Sequence, residues 1–224
     1  MLKCIFKVVA VVAMASVLCA CNGVVKMDSS EDAIGYKPIY STFPLPYVFI
    51  ASSIQWNEDY AVSAAHTPFL KDVVYRCSTG CDLVFIKRKA SGRIPEWRYS
   101  TLNEKIKSYG TTPMYMTVSS EGNLLKTRFI QNVSNGKKSG REFYKLANMA
   151  LIKGMSGGPV YGLDGKVIGI SLGFVNKSMM TASELDQAPD IKNTEHPSYI
   201  LQTEIVEREW KRFQYQENQK IKKS

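Results

Sequence analysis

A chain of 224 residues that is 45% apolar and 22% charged has the side chains for a packed core and too little charge for a disordered polymer. Its length suits one large or two small domains. The formal charge of +9 is spread along the sequence rather than blocked, except in "KIKKS" at the end, so composition permits contact with an anionic surface but supplies no nucleic-acid motif.

Residues 1–20 read as an export signal. "MLKCIFK" carries Lys3 and Lys7 and no acid, and "VVAVVAMASVLCA" is an uncharged apolar run too short for a comfortable membrane span. The stretch ending it, Leu18-Cys19-Ala20-Cys21, resembles the lipobox of bacterial lipoproteins. That resemblance implies cleavage before Cys21, acylation of Cys21, and attachment to the periplasmic side of a bacterial envelope. Asn22 in place of an acid favours the outer membrane. Removing Lys3 and Lys7 from the formal +9 leaves +7 on the mature chain.

Residues 21–44 are polar and broken, as expected of a tether and lead-in segment. Short runs rich in β-branched and aromatic residues follow: "YVFIASSI", "YAVSAAH", "DVVYRC" and "DLVFIKR", then "WRYSTL", "PMYMTVSS", "LLKTRFIQNV" after "EGN", "REFYKLA", "GPVYGL", "KVIGISLGFV" and "SYILQT". Roughly a dozen strands without internal repeat suggest two small β-barrels or a sandwich. Only "EIVEREWKRFQYQENQKI" has helical spacing, with Ile205, Trp210 and Phe213 as its apolar positions. With Cys4 and Cys19 in the signal and Cys21 given to lipid, Cys77 and Cys81 are left as the pair in the folded part. In an oxidising compartment they can close a small loop as a disulfide; free thiols are the alternative.

The densest motif is "GMSGGPVYG", residues 154–162. A nucleophilic serine needs an exposed hydroxyl on a tight turn and backbone N–H groups aimed at the oxygen that becomes negative, and glycines allow both. Ser156 fits that part, with the amides of Gly154 and Ser156 as the oxyanion hole. A base is required, and His66 closes a run of small and β-branched residues in "AVSAAH", whereas His196 in "NTEHPSY" reads as a surface residue. An acid must orient the imidazole. Asp82 precedes the apolar strand "LVFIK", braced by the two cysteines; Asp72 is the alternative but lacks such a strand.

"SAAH", "CDLVFIK" and "GMSGGPVYGLDGKVIGI", in that order, resemble the three sequence blocks of the trypsin/chymotrypsin-like serine endopeptidases over residues 45 to 215. The resemblance implies an all-β chain: two antiparallel six-stranded β-barrels, at 45–104 and 105–202, with the catalytic residues His66, Asp82 and Ser156 in the cleft between them, and a C-terminal helix and basic tail at 203–224. It also implies a protein or peptide substrate, with no cofactor, metal or nucleic acid. The sixteen positions from His66 to Asp82 are fewer than the family leads one to expect, so the hairpin between them must be minimal. Met155 replaces the acid that pairs with a newly cut N-terminus in trypsin-like zymogens, so no activating cut is expected, as in HtrA-type domains, although no peptide-binding module follows. By position relative to Ser156, the first specificity pocket falls at Ala150, Ile170, Ser171 and Gly173, which offer no acid and suit a neutral, apolar or small residue before the cut. The alternative is a catalytically inactive lipoprotein of protease fold that binds a partner.

Overall fold

The computed structural model describes residues 25–29, 31–42, 48–134 and 139–222. The expected signal, Cys21 and residues 22–24, 30, 43 and 44 of the expected tether lie outside them. The chain is mostly β, in two antiparallel sheets, with a C-terminal helix.

The first sheet is built from β2 (Tyr36–Thr42), β3 (Val48–Gln55), β4 (Tyr60–Ser63), β5 (Val73–Arg76) and β6 (Val84–Lys87), in the order β2-β3-β4-β6-β5. Its inner side chains include Ile54, Val62, Leu83 and Phe85, all without exposed surface. The turn from β3 to β4 is set by Asn57, whose Oδ1 accepts from the amides of Asp59 and Tyr60, both at 3.0 Å.

The second sheet contains β1 (Lys26–Met27), β7 (Lys105–Thr111), β8 (Thr117–Ser134), β9 (Ser139–Asn148), β10 (Pro159–Gly162), β11 (Val167–Phe174) and β12 (Pro197–Gln202). Strands β8-β7-β10-β11-β12-β9 close on themselves because β9 also pairs with β8, giving a six-stranded barrel. Strand β1 adds to its wall by pairing with Val118 and Ser119, so the lead-in segment joins the second sheet before the chain enters the first. Ile106, Met149, Met155, Val160, Ile168 and Ile200 fill the interior.

Sequence pattern and structure differ at several places: among the described residues the first sheet has five strands rather than six, β2 forms within the expected tether, and β7 has no counterpart among the expected strands. "EGN" reads as a turn, yet Glu121, Gly122 and Asn123 lie inside β8; a Cβ on Gly122 would stand 1.9 Å from the carbonyl oxygen of Asn148, so the glycine serves close strand approach. "WRYSTL" contributes a single bridge, Trp97 to Val167, rather than a strand. Between β11 and β12 the chain forms α1 (Ala182–Gln187) and α2 (Pro189–Asn193). The start of α1 carries a capping box, Thr181 with Glu184, and α2 starts on Pro189, so local helix signals were present but too short to register as periodicity.

Helix α3 (Thr203–Ile221) runs back over the first sheet and joins the two cores. Ile205, Val206, Glu209 and Phe213 are its buried face, with Phe213 packed against Tyr60 and Tyr75, each at 5.5 Å between ring centres. Trp210, expected on the apolar face, is partly buried against Phe85 at 5.2 Å. Truncating a buried aromatic such as Phe213 to alanine costs about 3–5 kcal/mol, so docking of this helix is a large part of what ties the two halves together.

Candidate active site

Strand β4 delivers His66. Its last residues and Ala64 are fully buried, and the chain turns at once, with the Thr67 amide donating to the Ala64 carbonyl at 3.4 Å. The imidazole is thereby left exposed at the end of a rigid strand.

Asp82 arrives from the other side. The Cys77–Cys81 pair is joined as a disulfide with a Cα–Cα distance of 5.3 Å. The Gly80 amide donates to the Cys77 carbonyl at 3.1 Å, and the Cys77 amide to the Leu83 carbonyl at 3.0 Å. Leu83 and Val84 are buried without exposed surface, which leaves the Asp82 side chain to face the cleft. Its carboxylate grips His66 twice. The His66 amide donates to Oδ1 at 2.8 Å, and the ring Nδ1 lies 2.5 Å from Oδ2.

That arrangement fixes the tautomer. An ionised carboxylate only accepts, so Nδ1 carries the proton and Nε2 keeps its lone pair. The hydrogen bond that Nδ1 donates to Asp82 holds the imidazole above its ordinary pKa of 6.5, over the opposing effect of burial. Asp72 sits at the far end of the β5–β6 pair, its carbonyl accepting from the Lys87 amide at 2.9 Å.

The Ser156 turn is held by both sheets. Ser52 of β3 donates its amide to the Ser156 carbonyl at 2.8 Å and its hydroxyl to the Gly154 carbonyl at 2.7 Å. Gly157 donates to the Ser171 carbonyl at 2.7 Å, and the Ser171 hydroxyl donates to the Met155 carbonyl at 2.8 Å. Two glycines make this fit possible. Gly154 has φ +103° and Gly157 φ +80°, and a Cβ on Gly157 would lie 2.4 Å from the Ser52 carbonyl oxygen and 2.7 Å from the Ala64 nitrogen. Ser156 is thus seated one residue from contact with the strand that carries His66.

The amides around Ser156 divide into two sets. Met155, Gly157 and Gly158 donate to protein carbonyls, whereas among the described residues neither Gly154 nor Ser156 donates its amide to any acceptor. Because the Met155 carbonyl points inward to Ser171 and a trans peptide sets C=O and N–H in opposite directions, the Ser156 N–H points outward. The Ser156 hydroxyl donates to the Leu172 carbonyl at 3.0 Å. A serine has one hydroxyl proton, so in this rotamer it is engaged with β11 rather than with the imidazole.

Of the residues expected to line the first pocket, Ile170 and Ser171 have no exposed surface and Ala150 is buried. Ala150 borders a cavity of about 360 Å³ together with Lys26, Ser119, Asn148 and His196. Gly173 is half-buried, and a Cβ there would lie 2.9 Å from the Tyr199 hydroxyl oxygen, so the Tyr199 ring stands over this part of the wall. His196 is half-buried, with its carbonyl accepting from the Met149 amide at 2.9 Å and its Nε2 3.6 Å from Glu195.

Sequence reasoning did not anticipate the buried groups behind Asp82. Tyr144 accepts from the Asp82 amide at 3.4 Å, and burial pushes its phenol up to about 12. Tyr199 stacks on Phe129 at 5.2 Å and is raised by burial and then by the charge of Asp82. Glu209, on α3, has no exposed surface. Its spacing of four from both Ile205 and Phe213 was the available signal, since it puts a carboxylate on the apolar face of the helix. Among the described residues, Cys77, Cys81 and Glu209 are the one grouping with metal-ligand atoms within 4.8 Å, and its two sulfurs are bonded to each other rather than free as thiolates.

This architecture, two β-sheets with a C-terminal helix over them, is the chymotrypsin-like two-barrel fold of the trypsin-like serine proteases. The chain is similar in structure to the Rv3671c protease of M. tuberculosis in its active form, with a TM-score of 0.60, 14% sequence identity, and coverage of 84% of this chain and 87% of that one. The inactive form of the same protease gives a TM-score of 0.59 at 12% identity, covering 85% and 98%. A serine endoprotease from Yersinia pestis gives 0.56 at 13% identity, covering 83% of this chain and 66% of that one. No protein-family model and no curated protein matches the sequence.

Proposed function

We propose that the protein is a serine endopeptidase, exported and held to a bacterial envelope by lipid on Cys21. The observation that carries the reading is the pair of hydrogen bonds from His66 to Asp82, which leaves Nε2 as a base, beside a serine turn whose Gly154 and Ser156 amides have no acceptor among the described residues.

In this reading the Ser156 hydroxyl leaves Leu172 by rotation about χ1 and attacks the scissile carbonyl while its proton passes to His66 Nε2. The carbonyl oxygen becomes an oxyanion held by the Gly154 and Ser156 amides. The C–N bond breaks as the amine takes the proton from Nε2, leaving an acyl group on Ser156 Oγ. Water then gives its proton to Nε2 as it attacks the ester, and the imidazolium returns that proton to Ser156 Oγ as the C–O bond breaks and the acid leaves. Asp82 stays ionised throughout and supports the imidazolium. Tyr199 over Gly173 shortens the first pocket, which supports a small neutral residue before the cut.

A second reading, a protein of this fold that binds a partner without cutting it, draws support from the Ser156–Leu172 hydrogen bond. Fluorophosphonate labelling of wild type, Ser156→Ala and His66→Ala separates the two. The endopeptidase reading expects labelling of wild type alone; a well-folded wild type that does not label favours the binding protein.

A further inference from the structure

Glu209 is a carboxylate in a place that packing would give to an apolar side chain. Its Oε2 accepts from the Tyr75 hydroxyl and the Ser78 amide, each at 2.9 Å. Its Oε1 accepts from Arg208 Nε at 2.9 Å and from Arg212 at 2.6 Å. Burial works to raise its pKa, but the bonds from Ser78, Tyr75 and Arg208 outweigh that and hold it below the usual glutamate value, so it is an anion.

Further grips on the same turn lie beside this group. Arg212 also donates to the Ser78 hydroxyl at 2.8 Å. Thr79 donates to Glu142 of β9 at 3.2 Å, and Arg208 donates to both oxygens of Glu142. Ser78 and Thr79 are therefore clamped from α3 and β9, and Asp82 follows three residues after Thr79. Burying the carboxylates of Glu209 and Glu142 under half-exposed arginines is costly and adds little net stability over an apolar replacement.

We infer that Glu209 is a positioning residue: from the C-terminal helix it holds the Cys77–Cys81 turn so that the Asp82 carboxylate spans both N–H groups of His66. The inference deepens the endopeptidase reading and rests on it for the role of His66. Polar groups near the pair among the described residues include Arg76, which donates to the Ala65 carbonyl at 3.3 Å, and the phenols of Tyr144 and Tyr199.

The test follows the His66 imidazole by NMR of the full-length, histidine-labelled protein in detergent, with His66→Ala for assignment and His196 as internal reference. In Glu209→Gln the amide places donors against donors, and in Tyr75→Phe one bond is lost while the ring stays. The His66 midpoint is expected to fall in both by about half a pH unit or more, roughly a threefold loss of proton affinity, with His196 unmoved and the acid limb of labelling displaced equally. Folded variants whose His66 midpoint is unchanged, whatever their melting temperature, overturn the inference. Should Glu209→Gln fail to fold, Tyr75→Phe decides alone. A wild type that does not label defeats the endopeptidase reading instead, and the midpoint still decides what Glu209 does.

Discussion

Asp82→Asn is the substitution whose effect the geometry fixes most tightly. The carboxylate offers one oxygen to the His66 amide at 2.8 Å and another to Nδ1 at 2.5 Å, and a carboxamide has only one oxygen to give. If that oxygen faces the ring, the NH₂ group opposes the backbone N–H, a donor against a donor, at a cost of about 1–3 kcal/mol for the unpaired group. If the oxygen faces the backbone, the NH₂ donates to Nδ1, and the imidazole need only shift its proton to Nε2. The second arrangement costs less, and it removes the base. By comparison with other serine hydrolases the labelling rate near neutral pH is expected to fall about 10⁴-fold, a barrier increase of about 5 kcal/mol. The assay is the second-order rate of fluorophosphonate labelling against pH, with thermal unfolding to show an intact fold. In wild type the neutral imidazole is required and its pKa is raised, so the rate climbs with pH through a midpoint above 6.5; in Asp82→Asn that limb moves to lower pH while the plateau collapses. The protonated pair contributes stability that is fully present below the unfolded histidine value and is lost as pH rises through the folded one, so the gap in melting temperature between the two proteins should narrow as the solution becomes alkaline. A folded Asp82→Asn that labels within about tenfold of wild type refutes the assignment. Asp72→Asn, at the far end of the β5–β6 pair, serves as the control and should label normally.

Gly157→Ala places a methyl group 2.4 Å from the Ser52 carbonyl at φ +80°, so it should cost more than the about 1–2 kcal/mol of the left-handed backbone alone, read as a lower urea midpoint. A loss under about 1 kcal/mol would mean that the turn relaxes away from β3. The paired change Cys77→Ser with Cys81→Ser opens a loop with a sequence separation of 4, for which chain entropy gives about 2 kcal/mol; equal urea midpoints for oxidised wild type and the double variant would show that hydrogen bonds and Glu209 hold the turn unaided. Cys21→Ala should release the protein from membranes into the soluble fraction of expressing cells and abolish incorporation of labelled fatty acid, and continued membrane retention would count against the lipid anchor.

Much of this protein is set by short-range signals. Alternation and β-branching place β3, β4, β6, β10 and β11 close to where they form, because a strand's face and its turns are local properties. The residue types His66, Asp82 and Ser156 stand out for the same reason: each is attached to a strand end or a glycine turn that a reader can see. The juxtaposition of His66 with Asp82, 16 positions apart, is nearly local: the single strand β5 lies between them before β6 returns to pair with β4. What the sequence could not supply is what depends on distant segments. The hydroxyl of Ser52 reaches Gly154 across 102 residues, and Glu209 reaches Ser78 across 131. Ile170 and Ser171 look like pocket residues by spacing, yet barrel closure turns both inward, and the Tyr199 ring covers Gly173. Similarly, "EGN" carries the composition of a turn and becomes strand because Asn148 passes beside Gly122. Sequence alone therefore determined many of the strands, the glycine turn and the chemistry carried by each side chain. Which amides remain unpaired, which rotamer Ser156 adopts and what stands behind Asp82 were decided by the packing of two sheets and a helix, since hydrogen-bond partners and burial are settled only when segments far apart in the chain meet.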